Sequence, residues 1–379
     1  MRNRFTALII GILIGAALIY FLRPNPPGWE AAQTGAPSST ASAPAPVAVA
    51  PAATNTATTT AAAGSTLAAV KARGYLKCGV SQGLPGFSNA DDKGQWAGID
   101  VDTCRAIAAA IFGDVSKIRY SPLSAKERFT ALQSGEIDVL TRNTTLTLTR
   151  DTSLGLDFTA VNYFDGQGFL VKKEGGITDA AGLNGATICL QTGTTTELNV
   201  ADYFRTRNMT YQIVAFERND EALSAYEQGR CDALTTDASG LYAERLELKD
   251  PAAHVILPEL ISKEPLAVAV RQGDDQWEDI VRWSFYAMLD AEELGLNSTN
   301  IDDAKSTTSP EVRRFLGLDG DFGSMLGLSN DWAYNVVKLV GNYGEIFERN
   351  VGKGSQLGIP RGLNAQWKQG GLMYGMPIR

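Results

Sequence analysis

The sequence predicts an α/β fold of two similar lobes, each built on a largely parallel sheet. Short apolar strands alternate with amphipathic helices along most of the chain, which is typical of strand–helix–strand units. A helix end, a glycine, an aspartate and an apolar strand recur in the same order at Leu132–Leu140 and Tyr226–Leu234. Polar loops follow the strands, as expected where the carboxyl ends of parallel strands meet a ligand. Two such lobes predict a ligand cleft between them.

Length and composition exclude several classes of function. The chain has 379 residues, 44% of them hydrophobic and 20% charged, so it can bury the core of two or three domains. The net charge of −8 argues against nucleic acid or an anionic membrane surface as the main partner. His254 is the single histidine, and no Gly-x-Ser-x-Gly elbow accompanies it. We therefore expect no multi-histidine metal site, catalytic triad or cofactor, and we expect His254 on the surface before a strand.

The N-terminus predicts export. Arg2 and Arg4 precede an uncharged run from Phe5 to Leu22, which suits the apolar region of a signal peptide or a marginal membrane span. No clean Ala-x-Ala cleavage site follows, so residues 1–22 are either a signal peptide or a retained signal anchor. Residues 23–65 are rich in Ala, Pro, Ser and Thr and predict a flexible linker, because such a composition cannot offset the entropy lost on folding.

The first lobe, residues 66–168, is predicted from helix stops and caps. Gly74, Gly113 and Gly135 each follow an amphipathic stretch and end a helix. Asp100 is placed to cap the second of these helices, and the capping box Ser124–Glu127 begins the third. The strands expected between the helices are Leu76–Val80, Lys117–Tyr120 and Ile137–Leu140.

The second lobe, residues 169–265, repeats the pattern. Its predicted strands are Ala186–Leu190, Tyr211–Phe216 and Cys231–Thr235, and its predicted helices are Leu198–Phe204 and Asp220–Glu227. Two extended segments, Phe164–Lys172 and Glu264–Arg271, are expected to join the lobes. Residues 266–379 should return to the first lobe through the helix Trp277–Ala291 and continue as a C-terminal extension. In that extension we expect helices at Ala304–Gly317 and Asn330–Arg349, then an irregular tail at Lys353–Arg379.

The stretch Asp138–Phe158 predicts a binding rim. An apolar strand runs directly into a cluster of hydroxyl and amide side chains that Arg150 closes. A guanidinium offers a planar fork of donors that pairs with a carboxylate through two hydrogen bonds, so the cluster suits a small carboxylate ligand. A Thr-rich surface loop with a solvated arginine is the alternative, and these residues alone leave it open.

Four motifs in this order resemble one protein family. They are the Gly-x-Trp-x-Gly-x-Asp-x-Asp segment Gly94–Asp102, the helix and strand at Arg128–Asp138, the rim end Thr147–Arg150, and the Gly-Arg-x-Asp-Ala segment that leads to Asp237. With them, Leu67–Ala291 resembles the periplasmic solute-binding proteins of the polar amino acid ABC transporter family, which are family 3 solute-binding proteins. The long C-terminal portion, the cysteines and the Gln191–Glu197 turn are similar to the general L-amino acid-binding branch. The resemblance implies a two-lobed periplasmic binding protein fold with a hinge.

The resemblance also implies how the two charges of an amino acid are recognised. Arg150 matches the arginine that pairs with the ligand α-carboxylate, and Asp237 matches the acid that pairs with the α-ammonium. The residues expected to assist them are Thr145 and Asn143 in the first lobe and Thr194 and Thr195 at a helix N-terminus in the second. Asp237 could instead simply cap the following segment, and the two threonines could be helix caps as well as ligands. The repeated Asp138 and Asp232 are expected to be structural.

The first-lobe loop departs from the pattern of relatives that bind cationic amino acids. Those relatives carry an acid and an aromatic residue where this chain has Ser81 and Leu84. The resemblance therefore implies a neutral or broad preference, with Arg142 as a contact for an acidic ligand side chain.

The function implied is that of a non-catalytic, monomeric periplasmic receptor. It would capture L-amino acids in the cleft and deliver them to the membrane permease of an ABC importer. The alternative is an exported dehydratase on the same fold that acts on a prephenate-like acid. That chemistry needs a general acid or base in the cleft, and Asp237 would have to provide it.

The four cysteines are expected to form two disulfides in an oxidising compartment. Four cysteines allow three pairings. Pairing Cys78 with Cys104 and Cys189 with Cys231 keeps each bridge within one lobe, whereas the other two pairings would join the lobes across the cleft. Four free thiols in the core are the alternative, because cysteine is commonly buried.

Overall fold

The computed structural model describes residues 65–379. The signal peptide or anchor expected at 1–22 and nearly all of the linker expected at 23–65 lie outside the described residues. In the part of the chain that is described, no helix combines the length and the apolar character needed to cross a membrane.

The chain begins with the strands and helices of the first lobe. In chain order they are α1 (Thr66–Arg73), β1 (Leu76–Ser81), β2 (Asn89–Ala90), β3 (Trp96–Ala97), α2 (Ile99–Phe112), β4 (Ile118–Leu123), α3 (Arg128–Gln133), β5 (Val139–Leu140), α4 (Leu148–Ser153) and β6 (Leu156–Asp165). Helix α1 begins where the Ser65 hydroxyl accepts a hydrogen bond from the Ala68 N–H, and it ends at Gly74 in the left-handed conformation with φ 78°.

The second lobe follows from Gln167 onward. Its elements are β7 (Gln167–Lys172), β8 (Thr187–Gln191), α5 (Thr196–Thr206), β9 (Gln212–Phe216), α6 (Asn219–Glu227), β10 (Ala233–Asp237), α7 (Ala238–Glu247) and β11 (His254–Ile256). They form a sheet in the order β11-β7-β10-β8-β9, in which β8, β9 and β10 run parallel. Apolar side chains cover both faces of the sheet, with Phe204 on one face and Tyr226 on the other.

The last segment returns to the first lobe. Its elements are β12 (Glu264–Arg271), α8 (Asp275–Glu293), α9 (Pro310–Phe315), α10 (Phe322–Met325), α11 (Trp332–Leu339) and α12 (Tyr343–Asn350). Strand β12 completes a first sheet in the order β4-β1-β5-β12-β6. The chain therefore crosses to the second sheet at Gly166 and crosses back between Ile256 and Glu264. We propose the lobe boundaries at these two crossings, close to those expected from the sequence.

The C-terminal extension packs on the first lobe. Trp332 and Phe347 belong to the same apolar core as Trp277 of α8. The Arg349 guanidinium donates to the buried Asp102 carboxylate at 2.8 Å. The Asn364 amide pairs with the backbone of Phe164 on edge strand β6, donating to its carbonyl at 3.0 Å and accepting from its N–H at 2.7 Å. The extension therefore covers the strand that leads to the first crossing.

The repeated aspartates hold equivalent strands in the two lobes. Asp138 accepts a hydrogen bond from the Lys77 N–H at 2.8 Å and pairs with Arg73. Asp232 accepts from the Thr187 N–H at 2.7 Å and from its hydroxyl at 2.6 Å. Each carboxylate thus fixes the start of the neighbouring strand, which is the structural role expected of both residues.

The structure corrects four expectations. Asp100 does not cap α2, because Gly98 occupies the N-cap position and the Asp100 carboxylate instead accepts from the Asn143 N–H. The helix expected at Ala304–Gly317 is interrupted, since Pro310 restricts the residue before it and α9 starts only at the proline. The helix expected at Asn330–Arg349 breaks at Gly341, which has φ 106°, and Asn342 then caps α12. His254 is buried, 7% exposed, and its Nδ1 shares a hydrogen bond of 2.7 Å with the Tyr226 hydroxyl, so its surface location was predicted wrongly.

Both expected disulfides are present. Cys78 of β1 is bonded to Cys104 of α2, and Cys189 of β8 is bonded to Cys231 just before β10. Each bridge lies within one lobe, so neither joins the two lobes across the cleft.

Replacing Cys189 and Cys231 together by alanine should lower the free energy of unfolding. The bridge spans a sequence separation of 42, and the chain-entropy relation gives about 3–4 kcal/mol for constraining such a loop in the unfolded chain. Urea denaturation of the oxidised protein measures the change. Amino acid affinity should be retained, and a variant as stable as the wild type would show that the bridge contributes nothing.

Candidate ligand-binding site between the lobes

Strand ends from both lobes surround one cavity, and its empty volume of about 370 Å³ includes space that is open to solvent. Ser81 ends β1, Arg142 follows β5, Gln191 ends β8 and Asp237 ends β10, so the carboxyl ends of the strands meet at the cavity. The lining residues are Ser81, Gly83, Leu84, Arg142 and Asn143 from the first lobe, and Gln191, Asn219, Thr236, Asp237, Ser239, Gly240 and Glu244 from the second. Five of the residues predicted from the sequence are among them.

Arg142 is buried at the cavity wall. Its exposed fraction is 5%, its Nε donates to the Leu123 carbonyl at 2.9 Å, and its Nη1 lies 3.5 Å from the Asn143 Oδ1. Its Nη2 has no hydrogen-bond partner among the residues that the structure describes. Burial lowers the pKa of Arg142 to about 10, while Asp100 acts in the opposite direction. The side chain therefore keeps its positive charge at neutral pH and has free donors for a ligand.

Asn143 is held in a conformation that few residues adopt. Its φ of 28° is positive, which Asn tolerates better than most residues. Its N–H donates to the Asp100 carboxylate at 3.0 Å, and the same carboxylate accepts from the Asn162 amide at 3.3 Å. Burial raises the pKa of Asp100 to about 6. These contacts fix the rim beside Arg142.

Arg150 is not among the residues that line the cavity; it lies in the first turn of α4, close enough to Asp237 for their charges to interact. The Thr147 hydroxyl accepts from its N–H at 3.2 Å, its Nη1 donates to the Thr145 carbonyl at 2.8 Å, and its guanidinium lies 5.2 Å from the centre of the Phe129 ring. Burial lowers the pKa of Arg150, and the negative charges of Glu264 and Asp237 oppose that shift. One edge of the guanidinium is thus fixed by the protein while the rest can meet a carboxylate.

Glu264 was not predicted from the sequence as a site residue. It holds two of the predicted threonines in place. Its carboxylate accepts from the Thr145 hydroxyl at 2.5 Å, the Thr195 hydroxyl at 3.0 Å and the Asn199 amide at 2.6 Å. Thr145 belongs to the first lobe and the other two to the second, so Glu264 ties the lobes together. Both hydroxyls are therefore engaged, which leaves backbone N–H groups for a ligand. The Thr194 hydroxyl is also engaged, because it donates to the Gln191 carbonyl at 2.8 Å.

Asp237 is buried, 8% exposed, and occupies the N-cap position of α7 without making a capping hydrogen bond. Asp237 therefore does not act as a simple helix cap. Burial raises the pKa of Asp237 well above its usual range, and the nearby Asp165 and Glu264 carboxylates raise it further. Arg128 and Arg150 act against that shift. The site thus holds a carboxyl group that a ligand ammonium would stabilise in its charged form.

Glu244 is a second cavity residue that reasoning from the sequence missed. It lies one turn beyond Gly240 and two turns beyond Asp237, and all three line the cavity. This helical spacing after Asp237 is the signal that could have found it. Among the described residues, no group of histidine, cysteine and acidic side chains has the arrangement of a metal site.

Comparison with known proteins gives consistent matches. Residues 76–296 match the family described as bacterial extracellular solute-binding proteins, family 3. The chain is 59% identical over 320 residues to the general L-amino acid-binding periplasmic protein AapJ of Rhizobium johnstonii, a match that covers 84% of this chain and 94% of the relative. It is 55% identical over 319 residues to the glutamate/glutamine/aspartate/asparagine-binding protein BztA of Rhodobacter capsulatus, covering 84% of this chain and 94% of that protein.

A solved structure is similar over almost its whole length. It is a periplasmic binding protein of an ABC transporter from Brucella ovis with glutathione bound, 58% identical to this chain. It superimposes with a TM-score of 0.82 and covers 83% of this chain and 99% of that chain.

Proposed function

The chain belongs to the bacterial extracellular solute-binding proteins of family 3, and from this premise we propose that it is the amino acid receptor of an ABC importer. It captures L-amino acids in the cleft between its lobes and delivers them to the membrane permease. One observation carries the proposal. Arg150 and Asp237 belong to different lobes, their charges act on each other, and neither side chain forms an ion pair with another of the described residues.

The two residues suit the two charges of a zwitterion. Arg150 would pair with the α-carboxylate through the free edge of its guanidinium, and Asp237 would pair with the α-ammonium. Glu264 holds Thr145 and Thr195 on opposite sides of the cleft, so their backbone N–H groups can approach the carboxylate together. Because one charge is bound by each lobe, ligand binding favours the closed arrangement of the lobes.

The relatives support a broad preference among L-amino acids. One is named for general L-amino acids, and another for two acids and their amides. Glutathione, which is bound to the Brucella ovis relative, carries a free α-ammonium and α-carboxylate at its γ-glutamyl end. A cleft that recognises those two charges is therefore compatible with all three ligand sets.

The location and partners follow from the same relatives. We infer that the protein works in the periplasm and meets the permease subunits at the inner membrane. We propose separately that it does so as a monomer. The relatives described above are binding proteins, so they do not favour the exported dehydratase, and we assign no catalytic role to Asp237.

A thermal-shift screen of the purified protein against the twenty L-amino acids tests the function. A ligand that binds only the native state stabilises it, by about 2.7 kcal/mol at a hundred times its Kd. We expect several L-amino acids to raise the melting temperature, and the matching D-enantiomers to raise it far less. A screen in which no amino acid changes the melting temperature would contradict the proposal.

A further inference from the structure

Resting on the function proposed above, we propose that Arg142 and Glu244 form a side-chain subsite for amino acids that end in a carboxamide or a carboxyl group. Glutamine and asparagine are the ligands that fit it best. The subsite belongs to the same cleft as Arg150 and Asp237. It contacts the ligand side chain, whereas Arg150 and Asp237 pair with the two charges of the zwitterion.

The inference rests on Glu244, which is buried and has a hydrogen-bond partner for one of its two carboxylate oxygens. Its exposed fraction is 2%, and its Oε1 accepts a hydrogen bond from the Asn219 amide. Its Oε2 is shielded from solvent and has no hydrogen-bond partner among the described residues. A buried, unpaired carboxylate oxygen costs free energy, and a ligand that pairs with it removes that cost. Glu244 lines the cavity, where such a ligand would lie.

Arg142 supplies the complementary group from the other lobe. It lines the same cavity, and its Nη2 is free of partners among the residues described. No ion pair joins Arg142 to Glu244 in this part of the chain, so the two side chains are available to a group placed between them. The subsite therefore offers a cationic donor on one wall and a carboxyl group on the other.

A terminal carboxamide can form hydrogen bonds with both Arg142 and Glu244. Its carbonyl oxygen accepts from Arg142 while its NH₂ group donates to the Glu244 carboxylate. An aliphatic side chain leaves both groups unpaired, and a cationic side chain is repelled by Arg142. While Glu244 is ionised, the order of preference at the subsite is therefore glutamine or asparagine first, then the acids, then aliphatic and cationic side chains.

The protonation of Glu244 sets the preference between glutamine and glutamate. Burial raises the pKa of Glu244 to about 8, although the hydrogen bond from Asn219 lowers it in part, and Glu247 on the same helix also raises it. The other charged groups around the cavity are Arg142 and Asp237, while Asn219 on α6 is neutral. Protonated Glu244 can donate to a ligand carboxylate, and ionised Glu244 repels it. Glutamate binding should therefore weaken relative to glutamine binding as the pH rises through this pKa.

Calorimetric Kd values for L-glutamine and L-glutamate at pH 6 and pH 8.5 test the subsite. In the wild type, the ratio of the glutamate Kd to the glutamine Kd should rise about fourfold, as expected for one group that loses its proton with a pKa near 8. In Glu244→Gln the ratio should stay constant. The exposed Glu174→Gln is the matched control on the same lobe and should behave as the wild type.

A second variant tests the contact itself. Glu244→Leu should weaken glutamine binding about tenfold relative to alanine binding, since one hydrogen bond to a buried group is lost. Melting temperatures show whether each variant folds. If the wild type binds amino acids but neither variant changes these ratios, Glu244 only holds Asn219 and the subsite is wrong. If the wild type binds no amino acid, the proposed function itself fails.

Discussion

Replacing Arg150 by alanine should weaken L-amino acid binding by about 2–5 kcal/mol, the cost of truncating one side of a buried, hydrogen-bonded charge pair. That loss corresponds to a rise in Kd of about 30-fold to several thousandfold. The reason is that a ligand α-carboxylate would enter a closed cleft without its cationic partner, and the nearby Glu264 carboxylate would then repel it. Isothermal titration calorimetry measures the effect.

The variant needs a control because Arg150 also contacts its own lobe. Its Nη1 donates to the Thr145 carbonyl and its guanidinium lies against Phe129, so the melting temperature must be recorded alongside the affinity. Arg205→Ala is the matched control, since Arg205 is exposed on the second lobe and, among the residues described, its side chain pairs with Asp202 alone. Near-wild-type affinity in folded Arg150→Ala would show that the α-carboxylate is bound elsewhere.

Replacing Asp237 by asparagine should weaken binding of α-amino acids far more than binding of any matching α-keto acid. Only the amino acid carries the ammonium that the Asp237 carboxylate neutralises, and we expect a loss of about 2–5 kcal/mol, as for other buried charge pairs. The raised pKa of Asp237 adds a second readout. The ligand ammonium favours the ionised carboxylate, so binding should release protons, and Asp237→Asn should reduce that release.

Two results would contradict the proposed role of Asp237 as the partner of the ligand ammonium. Equal losses for the amino acid and the keto acid would make Asp237 a structural residue at the start of α7. Slow consumption of a prephenate-like acid by the wild type, together with an inactive Asp237→Asn, would support the dehydratase. Titrations in buffers with different ionisation enthalpies measure the protons released by each protein.

Much of the fold could be predicted because its signals are local. Gly74 and Gly113 end helices in the left-handed conformation, and the repeated Asp138 and Asp232 mark equivalent strands. The C-terminal helices were predicted too long because apolar periodicity continues across their breaks. At those breaks the backbone preferences of Pro310 and Gly341 outweigh the periodicity.

The site could be predicted only in part, because some of its residues come together from segments that are far apart in the sequence. The family resemblance pointed to Asp237 and Arg142, and both line the cavity. Glu264 was missed because its partners Thr145 and Thr195 are far away in the sequence and meet it only after the lobes fold. Glu244 was missed because a glutamate on a helix is usually exposed, and its burial depends on how α7 packs at the cleft.

Recognition of both ligand charges in one cleft is tested most directly by titrating the wild type with three forms of one ligand. These are the L-amino acid that gives the largest thermal shift, its N-acetyl derivative and its α-carboxamide. We expect one binding site per chain for the amino acid and a large loss of affinity for each derivative, since each lacks one of the two charges. A derivative that binds as tightly as the amino acid would contradict pairing of that charge by Arg150 or Asp237.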